Sequence, residues 1–223
     1  MSAHVHALAH KPLTVSAVAD FIGCPFEPRV PEQDVEEVVE RRGWSWEHYL
    51  VCDSLVTQHG LVLCSESYVP FGFPDARHLL VFGEVYPIDE NDDEMRNGPW
   101  LFPIVDDWQK QPGWTGKRPA TVDDCEGVLT RAAQAVTAYL GSTPERTIVS
   151  DATTVTGPAM THRIWRTLTL THALVLGPHA DNGPYGYLTH LQLSLTPLAC
   201  APDLPPAHDT DALNRWITAH VDW

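Results

Sequence analysis

The chain has 223 residues, of which 29 are acidic and 14 are basic, and its formal net charge at neutral pH is −15. Hydrophobic residues make up 43% and charged residues 19%, a globular composition that excludes a disordered chain. Because nucleic acids and anionic membranes are bound by basic surfaces, the acidic excess argues against both as partners. The acidity is concentrated in residues 1–112, where 19 acidic and 7 basic residues give −12, compared with −3 for residues 113–223.

The cysteines and the apolar segments bear on the cellular compartment. Five cysteines are present without a CxxC pair, and the first residues lack the basic and apolar regions of a signal peptide. No apolar run approaches the roughly 18 residues that would cross a bilayer. These features predict a cytoplasmic protein with buried free thiols and no cofactor.

In the first half, the apolar spacing predicts three helices and two strands. The expected helices cover 13–22, 31–43 and 47–60, and the expected strands cover 61–67 and 78–86. Residues 1–12, with His4, His6 and His10, are expected to form a loose arm. A proline-rich stretch over 97–119 is predicted to be a loop at the boundary between the halves.

In the second half, Thr121 is expected to cap a helix that ends at Gly141. Strands are predicted over 147–155, 162–176 and 187–195, and a short helix over 210–220. The strands 162–176 and 187–195 alternate, with Ile164 and Leu174 on the same side, which predicts an antiparallel hairpin with one buried face. His172 is expected to lie on that face, hydrogen-bonded to the backbone, and His190 is expected to face away.

This order of elements, without a glycine-rich phosphate loop, predicts an α+β fold with antiparallel sheet and flanking helices. An acidic half over 1–112 and a helix-and-hairpin half over 113–223 could be two domains or one compact domain. A further alternative is that the halves are a diverged repeat of a helix followed by a strand meander.

Catalytic signatures are absent from the sequence. No hydrolase motif of the G-x-S-x-G, H-E-x-x-H or S-x-x-K type occurs. Cys52 with His48, or Ser150 with Asp151 and His162, could be combined into a nucleophilic group, but with twelve histidines in the chain such combinations carry little weight. We therefore predict no catalytic residues and no metal site.

The acidic run between residues 89 and 94 is the most conspicuous polar segment. A calcium loop starting at Asp89 fails, because Glu94 replaces the required glycine and Trp100 replaces the required glutamate. Acidic surfaces with aromatic anchors are typical of proteins that capture a basic protein. The predicted binding residues are Asp89, Glu90, Asp92, Asp93, Glu94, Asp106 and Asp107 for charge, with Trp100, Trp108 and Trp114 as apolar anchors.

Several segments resemble a known group of proteins. A helix followed by LGSTPER, then a strand with IWR and a hairpin ending in LQLSLTPL, resembles uncharacterised actinobacterial immunity-type proteins, some of which are encoded beside secreted toxins. The earlier RRGWSWEHYL and HGLVL are similar in style. The resemblance implies an inhibitor that binds a toxin, and it implies no catalytic residues.

Together these observations predict an immunity-like inhibitor, a monomer or homodimer, that occludes a basic surface of a toxin or enzyme. Two alternatives remain open: a metal-assisted hydrolase that uses histidines and carboxylates, and a chaperone or assembly subunit of a larger complex.

Overall fold

A computed structural model describes residues 4–47, 54–67, 69–86, 106–107, 109–154, 158–166, 171–180, 189–199 and 203–221. In these residues an antiparallel sheet of ten strands has four helices packed against it, which confirms the predicted α+β class. No helix within these ranges is long and apolar enough to cross a membrane.

The helices are α1 (Val15–Gly23), α2 (Val35–Arg41), α3 (Val122–Leu140) and α4 (Thr210–Val221). The strands of the large sheet are β2 (Ala7–His10), β3 (Ser45–Glu47), β4 (Ser54–Val56), β5 (Val62–Ser65), β6 (His78–Tyr86), β7 (Thr115–Lys117), β9 (Arg146–Ser150), β10 (Met160–Arg166), β11 (His172–Ala180) and β12 (Thr189–Pro197). A separate pair is formed by β1 (His4–Val5) and β8 (Ala120–Thr121).

The order of strands is symmetric about the centre of the large sheet. It runs β3-β4-β5-β6-β12-β11-β10-β9, while β2 pairs with β6 and with β7. Each half of the chain therefore supplies helical structure followed by a meander of four strands, β3–β6 in the first half and β9–β12 in the second. The two meanders meet where β6 pairs with β12. One sheet runs through both halves, and its order agrees with the repeat interpretation.

Helices cover both faces of this sheet. Leu174 and Leu176 of β11 point into the larger core, which includes residues of α1, α2 and α3. Val175, between them, points to the other face, where it joins Trp216 and Ile217 of α4. The expectation of a single buried face is therefore wrong, because the short helix predicted over 210–220 packs on the second face.

Capping at both ends explains why the predicted boundaries of α3 agree with the structure. The Thr121 hydroxyl accepts from the Asp124 backbone, and the Asp124 carboxylate accepts from the Thr121 backbone, which completes a capping box for α3. Gly141 ends the helix in the left-handed conformation at φ 69°. The helices expected near 13–22, 31–43, 121–140 and 210–220 are confirmed, the second with a 3-10 turn over Glu32–Asp34 before α2.

The third predicted helix, over 47–60, is wrong in its described part. Ser54–Val56 form β4, and Leu55 lies opposite Trp46 of β3 and Leu63 of β5. Leu55 is buried by these cross-strand contacts, so sheet pairing overrides the helical spacing of the apolar residues. Residues 48–53 lie outside the described ranges.

The single strand predicted over 162–176 is also wrong. It is two strands, because β10 ends at Arg166 and β11 pairs back along it with Arg163 opposite Leu176. Ile164 therefore shares a face with Val175, and not with Leu174 as the alternation suggested. The hairpin between β11 and β12 is confirmed, although β11 continues through Ala180 into the stretch expected to be a loop.

The N-terminal segment is not the loose arm that was expected. Residues 7–10 form β2, which lies between β6 and β7, and Ala7, Leu8 and Ala9 are buried. The alternation of small and apolar residues in HVHALAH fits a strand whose partners lie about 75 and 105 positions further along the chain.

Candidate functional site

The centre of the predicted binding surface lies outside the described residues. Seven of its members are there, and they stay predictions: Asp89, Glu90, Asp92, Asp93, Glu94, Trp100 and Trp108. The remaining three, Asp106, Asp107 and Trp114, are described.

Asp106 and Asp107 are both neutralised locally. Asp106 Oδ1 lies 3.0 Å from a guanidinium nitrogen of Arg118, and Asp107 Oδ1 lies 2.7 Å from Lys110 Nζ. All four side chains keep contact with solvent, so each pair contributes little to stability. An already paired carboxylate also steers a basic partner less strongly than a free one.

Trp114 is buried in the interior of the protein itself. Its side chain is only 7% exposed, and its indole Nε1 donates a hydrogen bond to the Gly60 carbonyl at 3.1 Å. Lys11 reaches over the same turn and donates to the Pro112 carbonyl at 2.7 Å. Trp114 therefore fixes the start of β7 against the turn at Gly60, which differs from the exposed anchor that the loop composition suggested.

An acidic face on α2 is the strongest exposed charge cluster that the sequence reasoning left out. It comprises Glu32 and Asp34 of the 3-10 turn before α2 together with Glu36 and Glu40 of α2, all exposed, and is called the α2 acidic face below. The side chains of Glu32, Asp34 and Glu40 make no hydrogen bond or ion pair with any described residue. The nearby cations are occupied, because Arg41 pairs with Glu37 and Arg42 pairs with Glu27.

The spacing of the α2 acidic face is unfavourable for the helix itself. Glu36 and Glu40 are four residues apart, where like charges destabilise a helix by about 0.2–0.5 kcal/mol. Glu36 and Glu37 in the first turn complement the helix dipole, but Glu40 near the C-terminal end opposes it. A cationic partner would relieve this repulsion.

The indole of Trp46 borders the α2 acidic face. Trp46 Nε1 donates to both carboxylate oxygens of Glu36, at 3.0 and 3.2 Å. Phe26 is 48% exposed, but its ring packs edge-on against His172 of β11, with the ring centroids 5.2 Å apart, and is not part of this surface. Free carboxylates beside the partly exposed indole of Trp46 are the kind of surface that the sequence predicted for residues 89–114.

A second polar group lies inside the sheet where the two meanders meet. Glu84 of β6 is 1% exposed, and its carboxylate pairs with Nδ1 of His190 on β12. His179 of β11 lies directly opposite His190, and all three residues share one face of the sheet. His190 does face away from the core that holds Leu191, as predicted, but it is buried.

The other histidines considered as catalytic candidates have structural partners. His172 is buried and bonds the Pro74 carbonyl through Nε2, which confirms the expectation of a core histidine bonded to backbone. His162 Nε2 lies 3.0 Å from Thr153 Oγ1 and 3.1 Å from the Pro178 carbonyl. Ser150 donates instead to Asn214 Oδ1 at 2.8 Å, so Ser150 and His162 do not form a nucleophile pair.

Thiol and metal chemistry find no support in the described part of the chain. Burial raises the pKa of the Cys24 and Cys125 thiols to about 12, so neither forms a thiolate nucleophile near neutral pH. No group of three or more histidine, cysteine, aspartate or glutamate side chains within the described ranges is arranged to hold a metal ion. The pair of His48 and Cys52 lies outside those ranges.

Comparison with known proteins gives no match: no family model, no curated protein and no solved structure is similar to this chain.

Proposed function

We propose that this chain is a protein-binding inhibitor of the immunity type, which covers a basic surface of a toxin or enzyme in the cytoplasm. The observation that carries the proposal is the α2 acidic face, where exposed carboxylates lie without cationic partners beside the partly exposed indole of Trp46. It lies in the half of the chain that holds −12 of the net charge. The predicted acids between residues 89 and 94 would extend the same negative field.

The proposed mechanism separates steering from anchoring. Free carboxylates attract a basic partner over about 8–10 Å at physiological salt and raise the association rate constant. Once the partner is in contact, the edge of the Trp46 indole supplies apolar area, which lowers the dissociation rate constant. Inhibition then follows because the bound chain covers the partner's surface, and it requires no chemistry by this protein.

The first experiment uses the product of the neighbouring gene as the partner. The two proteins are co-expressed, and growth and co-purification are measured. We expect the chain to suppress the toxicity of that product and to form a stoichiometric complex with it. Growth inhibition that persists although both proteins are abundant and folded would contradict the proposal.

A charge-neutralising variant then tests the α2 acidic face. Glu32→Gln, Glu36→Gln and Glu40→Gln together remove three negative charges, and the amide at 36 can still accept from Trp46. We expect the association rate constant at low salt to fall about ten-fold or more, and this difference to shrink in high salt. A matched control, with Asp151→Asn, Asp203→Asn and Asp211→Asn, removes the same net charge from exposed positions in the second half. Equal effects of the two variants would show that net charge, and not this surface, drives association.

A further inference from the structure

A half-open groove of about 210 Å³ lies between the first turns of α3 and the strand pair β2–β7. Leu8, Gly116 and Val128 contribute apolar or backbone surface to it, and charged residues from α3 and β7 line the rest. The groove shares no residue with the α2 acidic face, so a ligand bound here would be a second activity, separate from partner capture.

Three residues of α3 form one stripe along this groove. Asp123, Gly127 and Arg131 are spaced four residues apart and therefore lie on the same side of the helix. Arg131 Nη1 lies 3.5 Å from the place where a Cβ on Gly127 would be. The guanidinium thus leans toward the helix N-terminus over Gly127, within about one 5.4 Å turn of Asp123.

The two ends of the stripe are available to a ligand. The side chains of Asp123 and Arg131 make no hydrogen bond or ion pair with any residue that the structure describes. The other charges of the groove are occupied: Lys117 Nζ lies 2.7 Å from Asp124 Oδ1, and Asp124 also belongs to the capping box with Thr121. The groove therefore presents one free carboxylate and one free guanidinium, with the space above Gly127 between them.

His10 adds a neutral polar group to the wall. Burial, together with the charge of Arg131, lowers the pKa of His10, so its imidazole is uncharged at neutral pH. Its Nε2 lies 3.2 Å from Thr115 Oγ1, while its buried Nδ1 has no hydrogen-bond partner among the described residues. His10 therefore contributes uncharged, partly buried surface to the wall, and Asp123 and Arg131 carry the charge recognition.

We infer that this groove binds a small zwitterion, with its carboxylate on Arg131 and its ammonium group on Asp123. The planar guanidinium fork matches the two oxygens of a carboxylate, and the Asp123 carboxylate accepts from an ammonium group. A simple anion is disfavoured by Asp123, and a simple cation by Arg131. The volume is below the roughly 300–1,000 Å³ of sites for larger ligands, so the class is a free amino acid or a short peptide.

The test is a titration of the purified chain by isothermal calorimetry with four probes. Glycine and glycylglycine carry both charges, acetate carries only the negative one, and methylammonium carries only the positive one. We expect at least one zwitterion to bind ten-fold or more tightly than either singly charged probe. The tighter of the two zwitterions distinguishes an amino acid from a peptide as the natural ligand class.

Substitutions assign the binding to the groove. Arg131→Gln and Asp123→Asn should each weaken zwitterion binding ten-fold or more, and Gly127→Leu should abolish it by filling the space between them. Arg215→Gln is the matched control, because Arg215 is an exposed arginine of α4 away from the groove, and it should leave binding unchanged. Thermal unfolding of each variant verifies the fold.

Three results would overturn the inference. The first is the absence of binding by any probe, and the second is binding of acetate or methylammonium as tight as that of the zwitterions. The third is unchanged affinity in the folded Arg131→Gln variant.

Discussion

Acidification should destabilise this protein through histidines that the fold keeps neutral, and His162 is the clearest case. It is fully buried on the sheet face that α4 covers, and burial lowers its pKa from 6.5 to about 4. Between pH 6.5 and pH 4 the unfolded chain therefore binds a proton that the folded chain does not. Stability is lost as the pH falls through this window and changes no further below it.

The magnitude follows from the two pKa values. The full shift corresponds to about 3 kcal/mol, of which about 2 kcal/mol is lost between pH 7 and pH 5. His78, whose pKa is also lowered to about 4 by burial, should add a similar loss. The free energy of unfolding should thus fall by about 4 kcal/mol over this interval, a large part of the stability of an ordinary domain.

The assay is urea unfolding at pH 7 and pH 5, followed by tryptophan fluorescence. His162→Gln keeps a group that can bond the Pro178 carbonyl but cannot be protonated. This variant should be less stable than the unaltered chain at pH 7, because the imidazole ring fits closely against Gly177. Between pH 7 and pH 5, however, its free energy of unfolding should fall by about 2 kcal/mol less than that of the unaltered chain. His208→Gln at an exposed position is the control and should leave the loss unchanged. If the free energy of unfolding falls as much between pH 7 and pH 5 in His162→Gln as in the unaltered chain, the reasoning is refuted.

Three further substitutions test other parts of the fold by urea unfolding at pH 7. Thr121→Ala removes the capping box of α3 and should cost about 1 kcal/mol, while Thr121→Ser should cost much less. Gly72→Ala should lower the free energy of unfolding by more than about 1 kcal/mol, because Gly72 has φ +78° and an added Cβ would lie 2.4 Å from the Arg29 Cα. An unchanged free energy of unfolding would contradict this backbone geometry. Glu84→Leu leaves His190 buried without its carboxylate and should cost about 3–5 kcal/mol, whereas adding His190→Leu should recover much of the loss. If the double variant is as unstable as Glu84→Leu alone, the unpaired His190 is not the cause of the lost stability.

The parts of the fold that the sequence predicted are those decided by local chemistry. Thr121 and Gly141 fix the two ends of α3 by side-chain capping and left-handed backbone, which depend on neighbouring residues only. The strand over 78–86 is likewise predicted by its run of apolar and β-branched residues, Leu79–Phe82, and confirmed as β6.

The parts that it missed depend on distant pairing. Alternation alone cannot show that β10 and β11 are two antiparallel strands, because Leu168 and Leu170 continue the pattern of apolar residues at every second position between them. The burial of Glu84 beside His190 results from pairing across 106 positions, and no local signal marks it.

For the candidate sites, too, the sequence shows local composition but not contacts between distant residues. Acid density was visible in both PEQDVEEVVE and the run at 89–94, but the sequence does not show which carboxylates have cationic partners. Arg41 and Arg42, near the acids of α2 in sequence, neutralise Glu37 and Glu27 and leave the α2 acidic face free. Trp114 was expected to be exposed from the composition of its loop, and it is buried because the turn at Gly60 lies against it.

The most direct test of partner capture is chemical labelling of carboxylates, read by mass spectrometry, in the free chain and in its complex with the neighbouring gene's product. Glu32, Asp34, Glu36 and Glu40 are exposed in the free chain and should label readily. Binding should protect these four carboxylates several-fold, whereas Asp151, Asp203 and Asp211 should label equally in both states. Unchanged labelling of the α2 acidic face in a stoichiometric complex would contradict the account.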